Sequence, residues 1–106
     1  MTNQDKESLQ NKKLTESLLI ACLATCETII SKNAYLEKKW SNYGGHGYYG
    51  ERILWMGYRE KIRSLLFPTY SMKLIIQLTK GGTNKATQKT VQDVIELIDN
   101  SDYTLV

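Results

Sequence analysis

The first 40 residues carry an apolar pattern that repeats in alternating steps of three and four residues. Such a heptad pattern is typical of a long helix that packs against other helices, either within one chain or between two copies of it. We therefore predict one long N-terminal helix, and the same pattern also allows a homodimer through that helix. The residues of this heptad seam are Leu19, Cys22, Cys26, Ile29, Asn33, Leu36 and Trp40.

The centre of this helix, residues 18–24, is apolar on all sides, so several other elements must cover it. The run is shorter than the roughly 20 apolar residues that a bilayer-spanning helix needs, and we predict no membrane partner. A chain of 106 residues has the size of one hydrophobic core. We therefore predict a single helical domain over residues 1–106.

Glycines and a proline divide the rest of the chain. Residues 41–50 contain four glycines, which disfavour regular structure, so we predict a Gly/Tyr-rich interhelical loop there. A second helix is predicted over residues 51–67, because Pro68 disfavours its continuation. The predicted apolar arc of this helix consists of Leu54, Trp55, Tyr58, Ile62, Leu65 and Leu66.

The C-terminal third leaves two fold classes open. Residues 72–79 fit a short helix or a strand, and we favour the helix. A clearer helix is predicted to run to Asp99 from an N-cap at Thr83 or Asn84. We thus predict an all-α fold, a small bundle of about four helices. The alternative is an α+β fold with short strands near residues 72–79 and 102–106.

The composition argues against catalysis. A structural zinc site usually takes four Cys or His ligands, whereas this chain contains only Cys22, Cys26 and His46. The two cysteines lie in the apolar seam, where a thiol is expected to be buried and inert. We predict no enzymatic activity, no cofactor and no metal site. Because the start of the chain is polar and lacks a signal peptide, we predict a cytoplasmic location.

The predicted loop is rich in aromatic residues, and it contains too much glycine to bury all of them. Tyrosine and tryptophan are enriched in binding hot spots, because they offer a large rigid surface with one polar atom. The alternative is that two or three of these side chains fold back onto the helices. The predicted partner-binding residues of this segment are Trp40, Tyr43, His46, Tyr48 and Tyr49.

All three arginines, Arg52, Arg59 and Arg63, fall on one stripe of the second predicted helix, at one edge of its apolar arc. Because guanidinium groups bind carboxylates and phosphates bidentately, we predict that this stripe also belongs to the partner-binding surface. The alternative is a solvated helix face with local pairs, for example between Arg63 and Glu60.

These features favour a small non-enzymatic regulator or inhibitor that occupies the surface of a partner protein. Lysines outnumber arginines by 11 to 3, and Ile, Asn and Tyr are frequent, a usage that indicates an AT-rich genome such as that of a Gram-positive bacterium or its phages. In size, residue usage and lack of enzyme motifs, the chain resembles phage-encoded inhibitors such as anti-CRISPR proteins. The resemblance implies a phage or mobile-element origin, a host nucleoprotein complex as partner and the host cytoplasm as location.

The alternative hypothesis is a small basic DNA- or RNA-binding protein, since the formal net charge is +3. Residues 85–95 are similar to the recognition helix of a helix-turn-helix unit, although a Gly-Gly pair replaces the usual turn before it. The residues that would contact phosphates in this hypothesis are Arg52, Arg59, Arg63, Lys85 and Lys89.

Overall fold

A computed structural model of the chain describes residues 3–43, 46–67, 70–80 and 85–106. In these ranges it contains five α-helices and one parallel pair of two-residue strands, which confirms the predicted all-α bundle. The elements in chain order are α1 (Asn3–Gln10), β1 (Lys13–Leu14), α2 (Glu16–Lys39), a 3-10 turn (Ser41–Tyr43), α3 (His46–Leu66), α4 (Met72–Lys80), α5 (Gln88–Asp99) and β2 (Thr104–Leu105).

The prediction of one helix over the first 40 residues is wrong, because the chain breaks between α1 and α2. Lys12 adopts a left-handed conformation with φ of 58°, which a regular helix excludes. Lys13 then pairs with Thr104 in the small parallel sheet. The side chain of Thr15 accepts a hydrogen bond from the backbone N–H of Leu18 at 3.1 Å, so α2 starts with a regular N-cap.

The predicted Gly/Tyr-rich loop is shorter than expected, because α3 begins at His46 rather than near residue 51. Each glycine within a helix costs about 1 kcal/mol relative to alanine, which is why this segment favours a loop when it is considered alone. In the folded chain, α3 nevertheless includes Gly47 and Gly50, and the helix as a whole packs along α2. Two further glycines of the predicted loop, at positions 44 and 45, lie outside the described residues.

The C-terminal third resolves as helix, helix and strand. Residues 72–79 lie in α4, so the strand alternative for them is wrong. The helix that follows begins at Gln88, with Thr87 as its N-cap; the predicted caps Thr83 and Asn84 lie outside the described residues. The tail does form a strand, but one of only two residues, which pairs with β1 and does not extend into a larger sheet.

The core surrounds the first half of α2, as its all-round apolar sequence predicts. This half is covered by α3, α4 and α5, and two further apolar contributions come from β1 and from the segment before α5. The predicted apolar face of α5 is confirmed, with Val91 and Val94 fully buried. The largest completely or almost completely buried side chains are Leu14, Leu18, Leu19, Cys22, Leu23, Cys26, Trp55, Ile62, Leu66, Ile75, Val91 and Val94.

A polar contact ties the segment before α5 to the middle of α2. The hydroxyl of Thr25 donates to the carbonyl oxygens of Ala21 and Ala86, and the Ala86 N–H donates to the Ala21 carbonyl at 3.2 Å. Thr25 and both alanines are buried, and their small size lets the two backbones approach closely. These bonds provide hydrogen-bond partners for polar groups that are buried in the core.

Candidate functional site

The helices α2 and α3 form an antiparallel hairpin whose far end extends beyond the core. Residue 37 of α2 pairs with residue 52 of α3, and residue 27 pairs with residue 63, so the two helices run in opposite directions. Between residues 31 and 54, none of the described residues is buried. The molecule is accordingly elongated, with extents of 46 × 27 × 25 Å. We call residues 31–40 and 47–54 together the hairpin end.

Large apolar side chains are exposed on the hairpin end. Tyr35 is 63% exposed, Tyr49 is 53% exposed and Trp40 is 40% exposed, whereas Trp55, just beyond it, is 2% exposed. Ile53 and Leu54 are exposed as well. Other large apolar side chains are exposed elsewhere in the described structure. The hairpin end differs because its exposed apolar side chains lie in a segment in which none of the described residues is buried.

The structure brings together only part of the predicted aromatic site. Trp40 and Tyr49 are exposed on the hairpin end, and Tyr48 is half-buried between the helices and solvent. The side chains of Tyr43 and His46 lie outside the described part of the structure. Tyr35 and Ile53 were not predicted as site residues. Both are large apolar residues outside the predicted buried faces of their helices, and such a position indicates an exposed side chain. The prediction that Leu54 belongs to the buried arc is wrong, because this side chain is exposed.

Arg52 links the two helices at the hairpin end. Its Nε donates to Glu37 at 2.7 Å, and its Nη2 donates to the other oxygen of the same carboxylate at 3.4 Å. The hydrogen bond to Glu37 raises the pKa of Arg52 above its usual value. The guanidinium also lies 5.3 Å from the ring centre of Tyr49 and donates to Met56 Sδ at 3.6 Å. Arg52 therefore connects Glu37 of α2 with the exposed ring of Tyr49 on α3.

The other two arginines of the stripe are also held within the chain. Arg63 donates to Glu27 at 3.0 Å and to Glu60 at 3.2 Å, and Arg59 contacts the same two carboxylates at 3.5 and 3.2 Å. Their side chains are only 15% and 18% exposed. The Arg63 Nε has no hydrogen-bond acceptor among the described residues. The stripe thus forms a seam of ion pairs between α2 and α3, in addition to the local Arg63–Glu60 pair that the sequence suggests.

The two lysines of the nucleic-acid hypothesis lie on another element. Lys85 precedes α5 and is exposed, and Lys89 lies in the first turn of α5, where it pairs with Asp93 at 3.1 Å. The two lysines therefore lie outside the α2–α3 hairpin, and the three arginines are paired with Glu27, Glu37 and Glu60.

The two thiols lie inside the core. Cys22 and Cys26 are fully buried and free. Burial raises the pKa of Cys26 from 9.0 to about 12, with a smaller contribution from the charge of Glu27, and burial raises that of Cys22 well beyond its usual range. Both groups therefore remain protonated at neutral pH, as expected for packing residues. Among the described residues, no group of three or more His, Cys, Asp or Glu side chains is placed to hold a metal ion.

The heptad seam of α2 is used mainly inside the chain. Leu19, Cys22 and Cys26 are buried in the core, and Asn33 and Leu36 are half-buried next to α3. A homodimer through this helix stays a prediction. No helix in the described ranges has the length and apolar character needed to cross a membrane.

Comparisons of the chain with models of protein families, with curated proteins and with solved structures find no match.

Proposed function

We propose that the protein acts without catalysis, as a regulator or inhibitor that binds a partner protein through its hairpin end. The observation that carries the proposal is the exposure of five large apolar side chains on a projecting pair of helices. The same chain buries apolar side chains of equal size completely in its core. The exposed residues are Tyr35, Trp40, Tyr49, Ile53 and Leu54.

The energetics of burial support this proposal. Removing apolar surface from water stabilises a complex by about 25 cal/mol per Å², and tyrosine and tryptophan each have a large surface to bury. Four of the five exposed residues lie within helices and the fifth, Trp40, caps the end of α2, and the Arg52 guanidinium lies 5.3 Å from the centre of the Tyr49 ring. Less conformational freedom is therefore lost on binding, which favours affinity.

The proposal of a non-enzymatic role is supported by the chemistry of the groups that could react. The chain has one histidine, and the pKa of both cysteines is raised by burial, so neither thiol is an activated nucleophile. The carboxylates near the hairpin end are engaged as well, because Glu37 accepts from Arg52 and Glu51 accepts from the Trp55 indole at 3.2 Å.

The wider biological setting is part of the same proposal. The size of the chain and its AT-rich residue usage support a phage or mobile-element regulator, similar in these respects to anti-CRISPR proteins. Such a protein would act in the host cytoplasm on a host protein or nucleoprotein complex.

A nucleic-acid-binding role is the second candidate, at a different place from that predicted. Lys32, Lys38 and Lys39 lie on the hairpin end, and no ion pair connects them to a carboxylate in the described part of the chain. Lysines interleaved with exposed aromatic rings, here Tyr35 and Trp40, are typical of surfaces that bind single-stranded nucleic acids. Steep loss of binding with rising salt would distinguish this candidate from a protein partner.

The proposal is tested by affinity purification of the tagged chain from an AT-rich Gram-positive host, with nuclease added to half of the lysate. We expect a stoichiometric protein partner that survives nuclease. The double substitution Tyr49→Ser with Ile53→Ser should abolish its capture and leave the helical circular dichroism signal unchanged. Phe67→Ser is the matched control, because Phe67 is equally exposed but lies after the other end of α3. Loss of the captured material on nuclease treatment would instead favour the nucleic-acid candidate.

A further inference from the structure

Helix α4 covers one edge of the α2–α3 hairpin, but only along its first part. Tyr70, just before α4, donates a hydrogen bond to Glu16 at the start of α2, and Ile75 is buried against the hairpin. Near its other end, α4 borders a hollow of about 320 Å³ that is bounded by both hairpin helices. The lining residues of this hollow are Glu27, Ser31, Arg63, Ile76 and Thr79. The helix therefore runs along the arginine seam and ends at Lys80.

Among the described residues, no third element packs on the hairpin beyond α4. The arginine seam extends from Arg63 to Arg52, and the Arg52 guanidinium contacts Glu37, the Tyr49 ring and Met56. Ile53 shares this side of α3, because positions 49, 53 and 56 are four and three residues apart. Tyr49 and Ile53 are about half exposed and Met56 is half-buried. We call Glu37, Tyr49, Arg52, Ile53 and Met56 the open edge.

The charge next to the open edge is positive. Glu37 is neutralised by Arg52, whereas no described carboxylate pairs with Lys38 or Lys39, which follow it at the end of α2. Lys39 lies 5.5 Å from the centre of the Trp40 ring. A partner that covers the open edge therefore gains most if it brings carboxylates to these lysines, since complementary charge speeds encounter and fixes register.

From this geometry we infer that the open edge binds an amphipathic α-helix of the partner protein, with an apolar face and carboxylates along its flank. The inference rests on the proposed function and names the partner's chemistry. A helix is the expected occupant because α4, itself a helix, packs on α2 and borders Arg63 of α3 at the hollow, and the open edge lies further along the same two helices. A protein is favoured over a nucleic acid because Ile53 and Met56 are not stacking platforms, and because the guanidinium of Arg52 already binds a carboxylate.

The test uses two synthetic peptides of about 18 residues, or roughly five helical turns. Both carry leucines at helical spacing, one with glutamates and the other with lysines on the flanks. We expect the glutamate peptide to bind at least about tenfold more tightly by fluorescence anisotropy. The double substitution Lys38→Glu with Lys39→Glu should reverse this preference. Equal affinity for both peptides, or a preference that the double variant leaves unchanged, would overturn the inference.

An equally exposed residue outside the hairpin end provides the control for the site. Ile53→Ser should abolish binding of the glutamate peptide, whereas Phe67→Ser should not, because Phe67 is about equally exposed but lies after the other end of α3. In nuclear magnetic resonance spectra, the indole N–H of Trp40 should shift on binding, and that of the buried Trp55 should not. Equal loss in both variants would show that the open edge is not the site.

Two further measurements test other occupants of the open edge. Displacement of the peptide by a single-stranded oligothymidylate would favour a nucleic acid, and a dimer in sedimentation equilibrium that Ile53→Ser dissociates would favour a second copy. Either result would overturn the inference of an acidic helix. If the hairpin-end variants lose the cellular partner but neither peptide binds, the proposed function holds and this inference fails.

Discussion

Thr25 shows how much one polar side chain contributes to the core. It lies in the apolar part of α2, and its hydroxyl binds the carbonyl of Ala86, 61 residues further along the chain. The same hydroxyl also donates to the carbonyl of Ala21, four residues earlier in α2, as the hydroxyl of a helical threonine often does. Together with the bond from the Ala86 N–H to the Ala21 carbonyl, this side chain joins the segment before α5 to α2.

We predict that Thr25→Val lowers the free energy of unfolding by about 1–3 kcal/mol, because it leaves the buried Ala86 carbonyl without its side-chain donor. Thr28→Val is the matched control, since Thr28 is exposed and its hydroxyl donates to the Ala24 carbonyl of its own helix at 3.0 Å. Urea denaturation of both variants measures the difference. Similar losses in the two variants would mean that the bond to Ala86 does not stabilise the fold.

The buried thiols predict how stability depends on pH. The folded state holds the pKa of Cys26 at about 12 instead of 9.0, and the pKa of Cys22 is raised as well. Above pH 9 the unfolded chain therefore releases protons that the folded chain retains, so this contribution to stability is complete at lower pH and is lost as the pH rises.

We predict that the urea midpoint falls between about pH 8 and about pH 10, and that the fall is smaller in the double variant Cys22→Ala with Cys26→Ala. The comparison uses the change with pH and not the absolute midpoint, because the alanines also leave cavities. If the urea midpoint falls equally in both proteins, the fall comes from ionisation of tyrosines and lysines and not from the two thiols.

At the scale of the elements, α2 and α3 are joined by two different kinds of contact. Near the core the two helices share buried residues such as Cys26 and Trp55. At the hairpin end none of the described residues is buried, and the Arg52–Glu37 pair joins the two helices there. The end of the hairpin therefore depends on polar contacts much more than the rest of it does.

A double-mutant cycle with Arg52→Ala and Glu37→Ala should yield a larger coupling energy than an exposed pair, because the side chains are only 25% and 30% exposed and the guanidinium binds both carboxylate oxygens. The matched control is the Lys12–Asp102 pair, whose side chains are both 56% exposed. We expect that pair to contribute less than about 0.5 kcal/mol in chemical denaturation. A larger coupling in the control would mean that burial does not determine the strength of these pairs.

At the scale of the whole molecule, apolar burial is unevenly distributed along its length of 46 Å. The core surrounds α2 from Leu18 to Ile30, where α3, α4 and α5 all contribute. Beyond Ser31 only α3 accompanies α2 in the described ranges. Two helices without a third element have little apolar surface to bury, so local stability should decrease toward the hairpin end.

Native-state hydrogen exchange should reveal this gradient. We predict that backbone amides of residues 32–39 open with a lower free energy than those of residues 19–26, although both segments belong to α2. Binding of a partner at the hairpin end should raise protection in the first segment only. Uniform protection along α2 in the free protein would contradict the gradient.

The elements could be predicted where their signal is local. The apolar periodicity around Leu19 and Val94 identified the buried faces of α2 and α5, because a helical face is fixed by the 3.6-residue repeat alone. The local signal failed at the ends of elements. It extended the first helix through Lys12, and it excluded Gly47 and Gly50 from α3, since propensity counts only the cost of each residue by itself.

The sequence by itself favoured an all-α bundle over an α+β fold and located the apolar centre of α2. Only the tertiary structure decided the role of the arginines, because Glu27 lies 36 residues from Arg63 and no periodicity reports such a pair. It alone also decided that Trp40 and Tyr49 lie beyond the core while Trp55 lies within it. The physical reason is that exposure depends on which elements cover a surface, and this coverage is set by contacts distant in sequence.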